Sequence, residues 1–390
     1  MKFLLVGGFA ESLLNFRGAL IDDLLRAGVE VHVAAPGLND DALSEALRGR
    51  GAIPHDIPLR RTGMNPVSDL GALHSLWHLM RDLRPDMFLG YTIKPVIYGL
   101  LAARVARVKR RYALITGLGY AFQDRPQGLK ACVVSGVARG LYRVALYGAH
   151  RVFFQNPDDQ ALFRSLGILG RWAESTVVNG SGVDVRHFAQ TPVPEGEVVF
   201  LMIARLLGAK GVREYVQAAA QLKHDFPLAS FQLAGWIDGG PDSIHADELA
   251  AWVDQGSIEF LGKLADVRPA LQGCSVYVLP SYREGTPRTV LEAMATGRAI
   301  ITTDAPGCRE TVVDGVNGFL APARSSEGLV AVMRRFLTAP SLVSEMGGRS
   351  RRIAEDKYNV RRVNAEMLWG MGIFFEKTAG DVDDSPDRAG

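Results

Sequence analysis

Cysteine is scarce in this chain: three residues in 390, Cys132, Cys274 and Cys308, far apart and without a CxxC. That argues against a disulfide framework and against a zinc site, and it fits a reducing cytosol. Long apolar runs are missing as well. No stretch of 18 or more residues is free of charge, so no membrane span is expected. The opening MKFLLVGG carries one lysine, and glycines interrupt its apolar run before a signal-peptide core forms. No G-x-G-x-x-G occurs, so the usual mark of a dinucleotide site is lacking. Nucleic-acid motifs and basic–aromatic interleaving are absent, which argues against a nucleic acid partner. His74 and His78 have the i, i+4 spacing of a metal pair, but no third ligand follows. A solvated helix face is the better reading, and no metal is expected.

What is present is an ordinary globular mix, 47% apolar and 22% charged residues, in a chain long enough for two cores. The net charge of +2 is unevenly placed: residues 1–190 hold 23 Lys+Arg against 16 Asp+Glu, the remainder 21 against 26. Residues 100–151 hold ten basic residues and one acid, Asp124. That local surplus attracts phosphate or anionic lipid.

Short β-branched runs alternate with longer amphipathic ones. KFLLV (2–6), VEVHVAA (29–35), PDMFLG (85–90), RYALIT (111–116) and RVFFQN (151–156) read as strands, with a helix around 12–27. QTPVPEGE (190–197) reads as a linker. A second series follows: VVFLMIA (198–204), ASFQLAG (229–235), SIEFLG (257–262), CSVYVLPS (274–281) and RAIITTD (298–304). The expectation is an α/β protein of two Rossmann-like, doubly wound domains, 1–190 and 197–359, facing each other across a cleft. A helix over 360–378, carrying Trp369, Phe374 and Phe375, needs a surface to cover and completes the first domain. The tail 379–390 is read as disordered.

The chemistry concentrates in YREGTPRTVLEAMATG (282–297), which sets Glu284 and Glu292 eight residues apart. CSVYVLPS ends a buried strand, Thr286 is the expected N-cap, and Pro287 suits the first helical position. Glu284 then lies before the helix and Glu292 along it, with free amides of the first turn between them. That order of acid, anion hole and acid suits a nucleotide-diphosphate sugar. A capped core helix with two surface glutamates has the same spacing. IARLLGAKGVREY (203–215) adds Arg205 and Lys210 in a strand-to-helix turn, placed to clamp a diphosphate. In the first domain, VGGFAESLLNFRG (6–18) is a strand, a glycine turn and a helix start. Gly7 and Gly8 are candidates for close backbone approach to a ligand, against a turn needed only for packing. Lys94 either faces the cleft and binds an acceptor phosphate or caps a loop. RVARVKRRY (104–112) and LKACVVSGVARGLYRVALYGAHR (129–151) combine apolar and basic residues; Val133, Val137, Leu141, Val144 and Leu146 alternate with Lys130, Arg139 and Arg143. Such helices, around 104–111 and 129–151, lie on an anionic membrane surface or are ordinary domain helices with a wet basic edge.

RLLGAKG, the later E-x7-E and NGSGVD (179–184) together resemble the retaining glycosyltransferases of family 4, which have the GT-B fold. YTIKPVIYG (91–99), ITGLGYAF (115–122) and FFQNPDD (153–159) are similar, more narrowly, to bacterial transferases that build capsule, exopolysaccharide or N-glycan precursors on undecaprenyl diphosphate. The resemblance implies an enzyme that takes a nucleotide-sugar donor, UDP-linked in the narrower group, and a polyprenyl-diphosphate-linked acceptor. It would work as a peripheral protein on the inner face of the bacterial cell membrane, without a cofactor. Arg205 and Lys210 would bind the donor diphosphate, Glu292 the ribose hydroxyls and Glu284 the transferred sugar. Gly285, Thr286 and Pro287 would line that sugar, Thr289 would reach a phosphate, and Arg288 would bind phosphate or decorate the helix. Gly262, in FLGKL (260–264), would hold the base through its backbone. Gly8 would approach the donor from the other side, with Asn15, Arg17, Lys94, Thr116 and Gly117 on the acceptor side. Many relatives place a histidine where this chain reads TGLGY (116–120); here Thr116 or the Gly117 backbone would take its contact. No D-x-D occurs in either βα series, so the manganese of the other transferase fold is not expected. The implied chemistry is front-face attack with retention. Readings kept beside it are a nucleotide-sugar epimerase, a GDP-mannose-dependent mannosyltransferase and a non-catalytic binding subunit.

Overall fold

The computed structural model describes residues 1–39, 42–60, 66–118, 129–171, 173–240 and 242–374. The end of the TGLGY loop (119–120), Phe375, the tail from residue 379 and the Lys130 side chain lie outside the described residues.

The first sheet contains β1 (Lys2–Val6), β2 (Glu30–Ala35), β3 (Ile53–Asp56), β4 (Met87–Tyr91), β5 (Arg110–Ile115), β6 (Arg151–Phe154) and β7 (Ser175–Val177). Its order is β3-β2-β1-β4-β5-β6-β7, with every pair parallel. The second contains β8 (Val199–Ile203), β9 (Ser230–Ala234), β10 (Glu259–Phe260), β11 (Val276–Leu279), β12 (Ala299–Thr303) and β13 (Gly318–Ala321). It is parallel too, in the order β10-β9-β8-β11-β12-β13. Helices cover both faces of a parallel sheet, so its inner strands bury continuous apolar runs instead of alternating ones. Phe3, Leu4, Leu5 and Val6 are all fully buried, as are Val276, Tyr277 and Val278. Phe3 pairs with Val31 on one side and Met87 on the other.

Each sheet reverses its strand order once, between β1 and β4 and between β8 and β11. Ligands of open α/β sheets bind beyond the carboxyl ends of the strands at such points. The Gly7–Gly8 turn follows β1, Thr92 follows β4, Arg205 follows β8, and the Glu284 loop follows β11. The motifs therefore gather at the two switch points.

Three strands escaped the sequence reading. β3 and β7 lie at sheet edges and are only half covered, so they carry no apolar run; β3 reads IPHD. β13 is four residues opened by a glycine. The helix expected around 12–27 is two, Glu11–Asn15 and Gly18–Arg26, because Phe16 and Arg17 interrupt it. The C-terminal helix runs Val360–Met371 and lies against Gly18–Arg26 of the first domain. Met367, Leu368 and Met371 join the core beneath β1, Asn364 Nδ2 donates to Asp23 Oδ2 at 2.6 Å, and the Tyr112 hydroxyl donates to the Met371 carbonyl at 2.9 Å. Trp369 and Phe374, the residues expected to cover a surface, are instead exposed, at 68% and 66%.

Candidate active site

The chain leaves β11 through Pro280 and Ser281 and turns at Arg283–Pro287 into the helix Arg288–Ala295. Pro287, not Thr286, holds the N-cap position, with an extended ψ of 109° and no side-chain cap. The Thr286 hydroxyl is engaged elsewhere: it donates to the Gln155 carbonyl of the first domain at 2.9 Å. A helix start without a side-chain cap leaves first-turn N–H groups for a ligand.

Glu284 is partly buried and holds two donors on one oxygen, Lys210 Nζ and, at 2.7 Å, Ser281 Oγ. Lys210 ends a short 3₁₀ turn, Gly208–Lys210, from which Gly211 starts the helix Val212–Asp225. Gly211 has φ 74°, and a Cβ there would run into the Pro280 backbone, so only glycine passes this crossing of the β8 and β11 loops. Arg205 does not share that partner; its Nη1 lies 2.5 Å from Asp238 Oδ2. Glu292 is 7% exposed and receives Arg288 Nε at 2.8 Å. Burial pushes its carboxyl above the ordinary glutamate range, with Arg288 opposing the shift. The two glutamates thus have separate cationic partners and no shared one, which is unlike a carboxylate pair holding one proton between them.

Arg288 is tied into this network on both sides, since its guanidinium also lies 5.3 Å from the centre of the Phe16 ring. Thr289 is half-buried in the first turn of this helix, and the buried Tyr277 gives its hydroxyl to the Ile203 carbonyl at 3.0 Å. Gly262 follows β10, and its carbonyl accepts from the Gly235 amide at 2.9 Å.

From the first domain, Gly8 closes on the start of the next turn: a Cβ on it would lie 2.6 Å from Thr92 Oγ1. Asn15 is exposed. Lys94, read as a candidate phosphate ligand, pairs at 2.7 Å with Asp69, which also accepts from the Tyr98 hydroxyl at 3.0 Å. Its charge is used inside its own domain. Arg17 is the reverse case. It is 2% exposed, stacks 5.2 Å from the Tyr91 ring centre, and its Nε has no hydrogen-bond partner. Burial lowers its pKa to about 10, and nearby Arg288 adds to that.

The domains meet at Gly285. A Cβ there would lie 2.6 Å from the Thr116 carbonyl, and closer still to Gln155 Oε1. Gly117, at φ 120°, faces the Gly285 amide. The TGLGY and E-x7-E loops, with Thr116 and Gly285 169 residues apart in sequence, are therefore in contact. Ser281, Asp238, Arg283, Gln155 and Asn156 were not singled out from sequence as site residues. The only signal for the last two was the FFQNPDD resemblance. Among the described residues no group of three or more His, Cys, Asp or Glu is placed to hold a metal ion, and His74 and His78 contact each other and Trp77 on the helix Pro66–Leu83.

Two family profiles match the chain: glycosyl transferase 4-like over residues 4–156 and glycosyl transferases group 1 over residues 184–353. The N,N'-diacetylbacillosaminyl-diphospho-undecaprenol alpha-1,3-N-acetylgalactosaminyltransferase of Campylobacter jejuni is 31% identical over 331 residues, covering 82% of this chain and 84% of that one. The capsular polysaccharide biosynthesis glycosyltransferase CapM of Staphylococcus aureus is 20% identical over 95% of this chain and 97% of its own. Anabaena HepE, solved in complex with UDP, superposes with a TM-score of 0.74 at 20% identity, over 95% of this chain and all of that one. Sucrose-phosphate synthase from Thermosynechococcus elongatus gives 0.75 at 15% identity, over 95% and 98%. With both halves matched, and with 31% identity sustained over most of both lengths, the chain belongs to the glycosyl transferases group 1 family and is a glycosyltransferase of GT-B fold.

Proposed function

We propose that this glycosyltransferase moves a sugar, an N-acetylhexosamine or hexose, from a UDP-sugar to a polyprenyl-diphosphate-linked saccharide, with retention of configuration. The carrying observation is the Lys210–Glu284 contact beside the uncapped helix start, at the point where β8 and β11 part. A cation, a carboxylate and free amides there suit a sugar, its phosphates and the charge that develops on the leaving phosphate. Lys210 and Arg205 hold the diphosphate, Arg205 by exchanging Asp238 for phosphate. Glu292 takes the ribose hydroxyls, and the Gly262 backbone takes the base. Glu284 with Gly285, Thr286 and Pro287 lines the sugar, opposite Thr116 and Gly117. Separate partners for the two glutamates favour front-face attack, in which the leaving phosphate oxygen accepts the acceptor proton, over a double displacement by paired carboxylates. Arg17, buried with its Nε unpartnered among the described residues, is better fitted than Lys94 to receive an anion from the acceptor side. No metal is needed in this scheme, because these cations offset the diphosphate charge.

The acceptor class rests on the Campylobacter relative, whose name specifies an undecaprenol-diphosphate-linked substrate. The donor rests on HepE, solved with UDP and with UDP-glucose. Peripheral binding at the inner membrane face follows from such an acceptor and is supported by the helix Leu129–Leu146. Val133, Val137 and Val144 on it, and Tyr147 just after, are 57%, 45%, 55% and 84% exposed. Among the described residues no helix is long and apolar enough to cross a membrane.

Epimerase chemistry is disfavoured, since Glu284 already holds Lys210 and Ser281 and, among the described residues, pairs with no histidine. The test is a panel of labelled UDP- and GDP-sugars incubated with a membrane lipid extract. Label from one UDP-sugar is expected in the organic phase. Transfer from GDP-mannose alone, or epimerisation without acceptor, overturns the reading.

A further inference from the structure

The Gln155–Asp159 turn has no role in the scheme above, yet it makes most of the polar contacts between the first domain and the donor loop. Asn156 is wholly buried. Its carboxamide oxygen accepts from the Asp159 amide at 2.8 Å and so caps the helix Pro157–Ser165. Its Nδ2 donates across the cleft to the carbonyls of Gly285 at 2.9 Å and Glu284 at 3.3 Å. One side chain therefore joins a helix cap in one domain to the reacting loop of the other. Its neighbours do related work. The Gln155 carbonyl accepts from the Thr286 hydroxyl, Asp159 pairs with Arg283, and Asp158 pairs with Arg309 at 2.9 Å.

A peptide unit is planar, and in the trans form its N–H points opposite to its carbonyl. Holding the Glu284 and Gly285 carbonyls toward Asn156 therefore turns the Gly285 and Thr286 N–H groups the other way. Neither N–H donates to a described residue. The first of these peptide planes starts at the Glu284 Cα and so helps set the root of its side chain.

We propose that Asn156 is a positioning residue for sugar transfer. By fixing the Glu284 and Gly285 carbonyls it aims the Gly285 and Thr286 N–H groups and the Glu284 carboxylate at the transferred sugar. Because it belongs to the opposite domain, that arrangement is complete only when the cleft is closed. The inference rests on the reading that this loop holds the sugar.

Two substitutions separate positioning from simple support. Asn156→Ser keeps a side chain that caps helices well and loses the donation to the loop, whereas Asn156→Ala loses both. If positioning matters, both lower kcat alike, by about 10- to 100-fold, as small misplacements of a reacting group do. UDP affinity, held by Arg205, Lys210 and Glu292, changes less than about threefold, and only Asn156→Ala loses appreciable thermal stability. Wild-type kcat in Asn156→Ser, or a kcat loss that follows stability across the pair, overturns the proposal. Crystal structures of the two ligand-free variants give a readout independent of the donor. The Glu284–Gly285 and Gly285–Thr286 peptide planes are expected to turn away from their wild-type orientation in both variants, and planes unmoved in both overturn the proposal even where the UDP assignment fails. A wild-type protein that binds no UDP but shows the turned planes in its variants rejects the donor reading alone.

Discussion

Glu284 and Glu292 are the same residue type in the same motif, and their surroundings make them different groups. Glu284 meets a lysine and a serine at the loop; Glu292 is buried along the helix with one arginine. Glu292→Ala is expected to weaken UDP binding tenfold or more, since a hydrogen bond to a charged group contributes about 1.5–3 kcal/mol. Glu284→Ala is expected to leave UDP affinity within a few-fold and to lower kcat by about 10²–10³, the scale of losing one transition-state contact. Calorimetry with UDP and steady-state kinetics separate the two. Equal effects on turnover with donor affinity intact would instead make the two an acid/base pair. Burial also predicts a pH dependence. The Glu292 carboxyl is raised above the ordinary range, so as pH falls it protonates before an exposed glutamate does near about 4.3. UDP affinity in the wild type should therefore decline on acidification already above that pH. In Glu292→Gln that part of the decline is absent. At this scale the sequence showed which residues carry charge and left open whom they meet. Lys94 went to Asp69 and Arg205 to Asp238, because an ion pair is chosen by folded distance, not by spacing along the chain.

The helix Leu129–Leu146 shows the same limit for a whole element. Its mixture of valine, leucine and arginine was legible, but its outer face was not. Leu146 is 2% exposed and Leu141 packs against the core, while Val133, Val137, Val144 and Tyr147 face outward. Arg111, from the neighbouring basic run, spends its guanidinium on the Gly148 and Val108 carbonyls, and Arg143 on Gly167 and Leu166. The basic run 104–111 is not the helix expected of it: the helix Ile93–Val105 ends there and β5 begins at Arg110, and Arg104, Arg107 and Lys109 are exposed around this connection. Val137→Glu with Val144→Glu should reduce sedimentation with acidic liposomes about tenfold or more, since it removes apolar area and adds two like charges against anionic lipid. Thermal stability should stay close to wild type, because both sites are exposed. Unchanged sedimentation at low salt would remove this face from the membrane contact. Strand recognition followed the same rule: buried central strands read clearly, and the half-covered β3 and β7 did not.

For the whole molecule, the C-terminal helix Val360–Met371 returns from the second domain to complete the first. Met367 is wholly buried there, beside Leu368 and Met371. Met367→Ala should cost about 2–5 kcal/mol by leaving a cavity, read as a lower urea midpoint for the first domain. A stability loss below about 0.5 kcal/mol, the range of surface substitutions, would show that the contact contributes nothing. Sequence alone determined the two α/β halves, the switch-point loops and the four charged residues Arg205, Lys210, Glu284 and Glu292 that lie after β8 and β11, since apolar period, glycine turns and residue chemistry are local properties. Only the tertiary structure decided that Gln155 and Asn156 grip the Glu284 loop, that Lys210 selects Glu284, and which face of a basic helix is wet. Those depend on residues as many as 131 positions apart meeting in the folded chain, and no local pattern encodes that distance.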